Sequence, residues 1–240
     1  MTELRVVRAE DFGQACLRAL REATAPVDSP VVGLPTGNTP VPLFEAIRAA
    51  VEAGSADVSS WRPFAIDEYG GPRDHLCSNR AFFRRYWDVI AGAKPVEQFN
   101  PEQADIDGDC ARMAALLERA GGLDVALLGV GMNGHLAFNE PGSSLASSVR
   151  RVMLHEESRR SGAACWGEDV PDWGLTLGLR ELLGAGRVVV MANGAAKASI
   201  VSAALGGRES PDVPASFARG EHVTWVLDSA AAVDLRGPTD

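Results

Sequence analysis

Short apolar runs alternate with amphipathic segments along most of this 240-residue chain. The apolar runs predict strands at residues 31–34, 64–66, 123–128, 187–191 and 222–227, and the amphipathic segments predict helices at residues 41–53, 80–90, 110–120 and 195–205. Apolar strands separated by helices are typical of a mostly parallel sheet that is covered on both faces. We therefore predict a doubly wound, Rossmann-like α/β fold. Because the chain has no internal repeat or long linker, residues 1–240 are expected to form one domain.

Composition and charge exclude several classes of function and leave the predicted fold as it is. Apolar residues make up 46% of the chain and the mean hydropathy is −0.03, as in globular proteins with a sizeable core. No apolar run approaches the roughly 18 residues of a membrane-spanning helix, and the N-terminus lacks the layout of a signal peptide. The net charge of −9 argues against a nucleic-acid partner, because binding to a phosphate backbone needs a basic surface. We expect a cytoplasmic protein with no membrane and no nucleic acid as partner.

The four cysteines, Cys16, Cys77, Cys110 and Cys165, are scattered and form no Cys-x-x-Cys pair. That spacing indicates neither a zinc site nor a disulfide framework. Reduced, mostly structural thiols are therefore expected, as is usual in a cytoplasmic protein.

Two segments that follow predicted strands favour anion binding. The loop 35–40 joins a strand to a helix, and it contains the residues Thr36, Gly37, Asn38 and Thr39. Free backbone N–H groups, two hydroxyls and a helix N-terminus that Thr39 can cap favour a phosphate. The Walker lysine pattern is absent, and a plain strand–turn–helix connection is the alternative. Lys197 lies in the first turn of a later predicted helix, where acidic residues are preferred. A lysine at this position is consistent with a side chain that contacts an anion. The alternative is a solvated surface lysine.

Two adjacent carboxylates, Asp67 and Glu68, come directly after the strand predicted at residues 64–66. Neighbouring side chains on a strand end point in different directions. One carboxylate can therefore face a ligand while the scaffold holds the other. Helix caps or solvated surface acids are the alternative.

A glycine-rich stretch, residues 129–142, follows the strand predicted at residues 123–128 and contains His135 and Glu140. Its first glycines match the pattern GxGxxG, but no long helix follows, so a dinucleotide site is not favoured. A histidine and a carboxylate in such a loop are typical of general acid–base catalysis. The alternative is a buried core histidine whose hydrogen bonds are satisfied and which has no catalytic role.

Taken together, these segments resemble the glucosamine-6-phosphate deaminase family, which shares its fold with 6-phosphogluconolactonase. The resemblance is carried by residues 33–40, the run Asp67-Glu68-Tyr69, residues 134–142 and the segment of Lys197. These motifs occur in family order, and the run His-Leu-Ala-Phe-Asn-Glu-Pro-Gly is the specific part. Lactonases share the preceding glycines and the histidine but usually lack the Phe-Asn-Glu-Pro continuation.

The resemblance implies an enzyme, a hydrolase and isomerase that converts glucosamine 6-phosphate and water into fructose 6-phosphate and ammonia. It implies that His135, oriented by Glu140, relays the proton that opens the sugar ring, and that Asp67 moves a proton between C2 and C1. It also implies that the phosphate lies on loop 35–40 with Lys197 as its counter-charge. Neither a metal nor an organic cofactor is required.

The chain departs from the family pattern at two of these positions. Asn133 stands where many members carry an aspartate that completes a relay with the histidine and the glutamate. Ala164 falls where a lid, expected at about residues 150–175, would hold a phosphate-binding arginine. Arg159 or Arg160 could substitute for it.

Two other functions therefore stay open. Residues 78–80, Ser-Asn-Arg, are closer to the lactonase pattern, which favours a lactonase or an isomerase acting on another hexose phosphate. A sugar-phosphate-binding regulator without catalysis is the second alternative. Because the chain ends soon after its last predicted strand, a monomer or small homo-oligomer is expected, with a small-molecule sugar phosphate as its ligand.

Overall fold

The computed structural model describes residues 1–235. Its strands are β1 (Glu3–Val7), β2 (Val31–Leu34), β3 (Arg62–Ala65), β4 (Asp67–Tyr69), β5 (Val125–Gly129), β6 (Arg150–Met153), β7 (Trp173–Thr176), β8 (Arg187–Ala192) and β9 (Val223–Asp228). Its helices are α1 (Phe12–Thr24), α2 (Val41–Glu52), α3 (Asn79–Tyr86), α4 (Ile106–Ala120), α5 (Glu156–Trp166), α6 (Leu179–Leu183) and α7 (Ala198–Gly206). A short 3-10 turn, Ala195–Lys197, precedes α7.

One parallel sheet has the strand order β1-β9-β8-β5-β2-β3. Its central strands are buried along nearly their whole length, because helices cover both faces. Successive residues of a strand point to opposite faces, so Val31 and Val188 join one hydrophobic core while Val32 and Val189 join the other. Helices α4, α6 and α7 pack on the first face, and α1, α2 and α3 pack on the second. The predicted doubly wound α/β fold is confirmed.

The predicted elements are present with shifted ends. Each predicted strand begins and ends within two residues of its prediction. Helix α4 begins earlier than predicted because Asp105 accepts the N–H of Gly108 (2.8 Å) and caps the helix. Helix α3 ends at Tyr86 instead of residue 90. The sequence pattern missed β1, a half-exposed edge strand, and the helix α1 that follows it.

The strand order reverses between β2 and β5, which pair with Val32 opposite Val125. The parallel sheet continues from β2 to β3 on one side and from β5 to β8 on the other. The loops after β2 and β5 therefore part at the carboxyl edge and leave a crevice, which is the usual ligand position in doubly wound sheets.

A second sheet, absent from the sequence-based prediction, borders this crevice. It is antiparallel with the order β4-β7-β6, and Asp67 lies opposite Thr176. Only a glycine fits at position 174 of β7, because a Cβ atom there would come within 2.7 Å of the Phe138 ring and 2.9 Å of the Glu68 carbonyl oxygen. The close approach at Gly174 packs β7 tightly against β4 and the loop after β5.

No helix among residues 1–235 combines the length and the apolar character that crossing a membrane requires. That residues 1–240 form a single domain stays a prediction. The same holds for the role of residues 150–175 as a lid.

Candidate active site

A cleft of about 600 Å³ lies at the carboxyl edge of the parallel sheet. Its walls come from loop 35–40, from β4 and α3, from the loop after β5 and from α5. The sequence-predicted site residues that line it are Thr36, Gly37, Asn38, Thr39, Asp67, His135 and Lys197. The remaining two, Asn133 and Glu140, lie beside His135 and contact it. Among residues 1–235, no three His, Cys, Asp or Glu side chains are grouped so that they could hold a metal ion.

Loop 35–40 presents backbone and hydroxyl groups to the cleft. Gly37 has a φ of 89°, a left-handed conformation that favours glycine and turns the chain sharply after β2. The predicted cap by Thr39 is wrong, because Pro40 occupies the N-cap position and no side chain of residues 1–235 caps α2. In the first turn of α2, Val41 donates its N–H to the carbonyl oxygen of Asn38 (3.3 Å) and Pro42 has none. The N–H groups available to an anion are therefore those of loop residues 37–39, which line the cleft and have no acceptor within residues 1–235.

Lys197 reaches the same cleft from the turn after β8. Its ammonium group donates a hydrogen bond to the carbonyl oxygen of Val130 (2.7 Å), just beyond β5. The turn is anchored by Asp228, whose carboxylate accepts the N–H of Gly194 at 3.0 Å. Lys197 is half-buried, and burial lowers its pKa. A half-buried ammonium group beside an anion-binding loop can supply the counter-charge of a phosphate.

Asp67 is buried at the start of β4, with 8% of its surface exposed. Burial and the neighbouring Glu68 carboxylate raise its pKa to about 7. Its carboxylate accepts a 2.6 Å hydrogen bond from Nδ2 of Asn79, which also donates to the Asp67 carbonyl oxygen (2.9 Å). A carboxyl group with such a pKa can both accept and return a proton near neutral pH.

Glu68 is part of the scaffold instead. Its carboxylate accepts the backbone N–H groups of Tyr69 (2.9 Å), Asn79 (2.8 Å) and Arg80 (3.0 Å). Two of these donors open α3, so Glu68 fastens the start of that helix to β4. The side-chain oxygen of Asn79 accepts the hydroxyl of Thr36 (2.8 Å), which links this arrangement to loop 35–40. As predicted from their adjacent positions on a strand, Asp67 faces the cleft and Glu68 is held by the scaffold.

His135 lies across the first turn of the loop after β5. A Cβ atom at position 131 would come within 2.3 Å of its ring, so only Gly131 leaves room for the imidazole. The Nδ1 atom of His135 lies 3.0 Å from Oγ of Ser158 and 3.5 Å from Oε2 of Glu140. Asn133 donates from Nδ2 to Glu140 (2.8 Å) and accepts the backbone N–H of His135 (3.2 Å).

Glu140 is ionised at neutral pH although only 5% of its surface is exposed. Burial by itself would raise its pKa. Hydrogen bonds from His135, Ser158 and Asn133, together with the attraction of His135, outweigh burial and lower the pKa to about 2. An ionised carboxylate only accepts hydrogen bonds, so Glu140 can hold donors in place beside the histidine.

Helix α5 borders the cleft and is joined by a disulfide, Cys77–Cys165, to the segment before α3. The expectation of reduced, unpaired cysteines is wrong for this pair, because the fold brings together two residues that are 88 positions apart. Beside the bridge, the ring of His75 stacks on Trp166 with 4.0 Å between ring centroids. The other two cysteines are free and buried. Since disulfides persist mainly in oxidising compartments, the cytoplasmic location stays a prediction.

The position of the expected lid arginine is part of the cleft wall and carries Ala164. The two arginines that could substitute for it are exposed on α5. Arg160 pairs there with Glu156. Neither Arg159 nor Arg160 is among the cleft-lining residues that the structure describes.

Arg85 of α3 lines the cleft, and within residues 1–235 the Lys and Arg side chains on its walls are Arg85 and Lys197. The guanidinium group of Arg85 lies 5.2 Å from the ring centroid of Tyr86. One helical turn earlier, Phe82 packs edge-on against Phe44 in the first turn of α2, with 5.5 Å between ring centroids. This packing sets the face of α3 that carries Arg85 beside the anion-binding loop.

A family model described as "Glucosamine-6-phosphate isomerases/6-phosphogluconolactonase" matches residues 5–226. The chain belongs to this family.

Members of the family resemble the chain over most of its length. The glucosamine-6-phosphate deaminase of Cutibacterium acnes is 38% identical over 213 residues, which cover 86% of this chain and 82% of that protein. A monomeric glucosamine-6-phosphate deaminase of solved structure is 28% identical, covers 98% of this chain and 100% of its own, and superimposes with a TM-score of 0.93. The 6-phosphogluconolactonase of Thermotoga maritima, at 21% identity with a TM-score of 0.77, covers 95% of this chain and 100% of its own and shares the fold.

In this member of the glucosamine-6-phosphate isomerase/6-phosphogluconolactonase family, sequence patterns missed two residues that touch the predicted ones. Asn79 contacts Asp67, and Ser158 contacts His135. The start of α3 has a sequence signal in Ser78, whose hydroxyl accepts the N–H three residues on (3.1 Å), but that signal does not reveal what Asn79 contacts. No local pattern marks Ser158.

Proposed function

We propose that this protein converts glucosamine 6-phosphate and water into fructose 6-phosphate and ammonia. The observation that carries the proposal is the convergence of three groups on one cleft: a buried carboxyl group, a histidine backed by a carboxylate, and an anion-binding loop beside a lysine. Membership of the family and the similar fold of a 28% identical deaminase support it.

The phosphate would bind on loop 35–40. The loop offers the hydroxyl of Thr39 and the N–H groups of residues 37–39, which have no acceptor within residues 1–235 and suit the oxygens of a phosphate. Lys197 provides the nearest buried positive charge and Arg85 a second, more exposed one. With the phosphate held there, the sugar would extend toward Asp67 and His135, which line the same cleft.

Ring opening needs a group that takes the proton of the C1 hydroxyl and returns it to the ring oxygen as the bond between C1 and that oxygen breaks. His135 is suited to this step because imidazole can accept a proton at one position and release it at another. Glu140 and Asn133 would position it, since the carboxylate lies beside Nδ1 and the amide joins that carboxylate to the histidine backbone.

The open-chain aminosugar must then lose a proton from C2 and gain one at C1, passing through an enolamine. Asp67 is the proposed base for both transfers. Its pKa of about 7 gives it a large ionised fraction near neutral pH and keeps it basic enough to take the proton. Addition of water to the resulting imine at C2 releases ammonia and leaves fructose 6-phosphate.

Release of ammonia from glucosamine 6-phosphate by the purified protein tests this proposal. A parallel assay with 6-phosphogluconolactone distinguishes the lactonase alternative, which predicts ester hydrolysis and no ammonia. Binding of the sugar phosphate without any turnover would instead identify a regulator. No ammonia release at millimolar substrate from a folded protein would refute the deaminase.

We also infer that the protein acts as a monomer, with residues 150–175 covering the substrate. The solved deaminase of the same fold is monomeric, which supports the first part. Sedimentation equilibrium measures the mass in solution, and a stable hexamer would contradict it.

A further inference from the structure

The imidazole of His135 has two neighbours on its Nδ1 side. The hydroxyl of Ser158 lies 3.0 Å from Nδ1, an ordinary hydrogen-bond length, whereas the nearer Glu140 oxygen lies 3.5 Å away, at the outer limit. Asn133 uses its two polar ends on the Glu140 carboxylate and on the backbone N–H of His135. Of the two contacts to Nδ1, the shorter is therefore the hydrogen bond with Ser158.

The charges around the ring decide the direction of that hydrogen bond. A neutral imidazole carries a proton on one nitrogen and a lone pair on the other. If Nδ1 carried the lone pair, it would face the negative Glu140 carboxylate 3.5 Å away, which is unfavourable. With the proton on Nδ1, the ring donates to Ser158, and the serine hydroxyl is free to donate to Glu140. The pKa of Glu140 is lowered in part by that serine.

We propose that Ser158 is a positioning residue that holds His135 with its proton on Nδ1 and leaves Nε2 free to take the C1 hydroxyl proton of the sugar. The proposal rests on the proposed function for its chemistry. A histidine of the opposite tautomer would present an N–H to the C1 hydroxyl and could not accept its proton, so the tautomer decides whether ring opening begins.

The position of Ser158 in the fold suits this role. It lies in the first turn of α5 and exposes only 4% of its surface, so bulk water does not compete for the hydroxyl. The disulfide Cys77–Cys165 fastens the last turn of the same helix to the segment before α3. The helix that borders the cleft thereby contributes directly to the orientation of the proposed ring-opening residue.

Steady-state kinetics of ammonia release with Ser158→Ala and Ser158→Thr test the proposal. We expect Ser158→Ala to lower kcat about tenfold with KM changed less than about twofold, and the hydroxyl of Ser158→Thr to restore most of the loss. Ser202→Ala is the matched control, because Ser202 also lies on a helix and, among the described residues, its hydroxyl bonds only the carbonyl oxygen of Asp234. A Ser158→Ala enzyme with the kcat of the unsubstituted protein would overturn the proposal.

Nitrogen-15 NMR of the imidazole rings gives a readout that does not depend on activity. The chain has four histidines, so the ring signals of His135 can be assigned by their loss in His135→Gln. At alkaline pH we expect a protonated Nδ1 in the unsubstituted protein and a larger share of the other tautomer in Ser158→Ala, where only Glu140, 3.5 Å away, still favours the proton on Nδ1. A protonated Nε2 in the unsubstituted protein would overturn the proposal. If the expected tautomer is found but no ammonia is released, the proposed function fails while the positioning by Ser158 stands.

Discussion

The two walls of the cleft are built in different ways. The parallel sheet contributes buried strands whose loops carry the proposed anion-binding residues, Lys197 and His135. The opposite wall consists of the antiparallel sheet, α3 and α5, with strands that are short and partly exposed, and it contributes Asp67 and Ser158. Long-range links hold this second wall in place, among them the Cys77–Cys165 disulfide.

The difference indicates a division of labour. The parallel-sheet wall offers charge and N–H groups to a phosphate, and such groups need only the right loop after the right strand. The antiparallel wall offers proton-transfer groups whose pKa and orientation depend on burial and on neighbours such as Asn79. Apart from His135 on the first wall and Arg85 on the second, substitutions on the first wall should therefore act mainly on KM, and those on the second mainly on kcat or its pH dependence.

Asp67→Asn should have the largest effect, because it removes the proposed base while keeping the shape of the side chain. We expect kcat for ammonia release to fall by roughly 1000-fold or more, with KM little changed. Asp57→Asn is the matched control, since Asp57 is exposed and, within residues 1–235, its carboxylate accepts hydrogen bonds from Ser59 alone, the backbone N–H at 2.8 Å. Retention of more than a tenth of the activity by Asp67→Asn would place the base elsewhere.

Lys197→Gln tests the proposed anion site on the parallel-sheet wall. Loss of a half-buried charge-assisted contact to the phosphate should raise KM by roughly 10- to 100-fold while kcat changes less. The chain contains only one other lysine, Lys94, which is exposed and donates to the carbonyl oxygen of Ser60. Lys94→Gln should behave like the unsubstituted protein. An unchanged KM in Lys197→Gln would contradict the assignment.

Breaking the disulfide should weaken the antiparallel wall selectively. We expect the double variant Cys77→Ser/Cys165→Ser to lose roughly 2–4 kcal/mol in the free energy of unfolding, measured by urea denaturation. Amide hydrogen exchange should become faster in α5 before it does in β5. A thiol reductant should lower the stability of the unsubstituted protein and leave that of the double variant as it was. Equal stability of the two proteins without reductant would show that the bridge contributes nothing.

Arg85→Gln should raise KM by about 3- to 10-fold, a smaller effect than at Lys197 because solvent screens an exposed charge. The neighbouring Arg84 is the matched control, since it is exposed and pairs with Asp74 (3.2 Å). Arg84→Gln should leave KM unchanged. Equal effects of the two substitutions would point to a general loss of positive potential instead of a phosphate contact.

The smallest expected change in rate concerns the pH profile, which should show how Asn79 affects the pKa of Asp67. Asp67 must be ionised to accept a proton, so kcat/KM should fall as the pH drops below about 7. Asn79 donates to the ionised carboxylate and thereby lowers its pKa. Asn79→Ala should therefore move the acidic limb of the pH profile upward, by about one unit. A limb that stays in place would contradict this role of Asn79.

Features that depend on neighbours in the sequence were predicted well. The strands of the parallel sheet other than β1 were predicted because continuous apolar runs are typical of strands buried on both faces. The loops after those strands could then be assigned to one edge of the sheet. The antiparallel strands escaped prediction because their sequences, Asp-Glu-Tyr, Arg-Arg-Val-Met and Trp-Gly-Leu-Thr, contain no continuous apolar run.

The sequence by itself determined the α/β architecture, the edge of the sheet where the cleft lies and the residue types present in the loops there. Only the tertiary structure decided which groups meet: Asn79 with Asp67, Ser158 with His135, and Cys77 with Cys165. The physical reason is that the spacing of apolar residues along the chain reflects the side-chain periodicity of a single helix or strand. Contacts between residues far apart in the chain, and the pKa shifts that follow from burial, exist only once the two walls of the cleft have packed together.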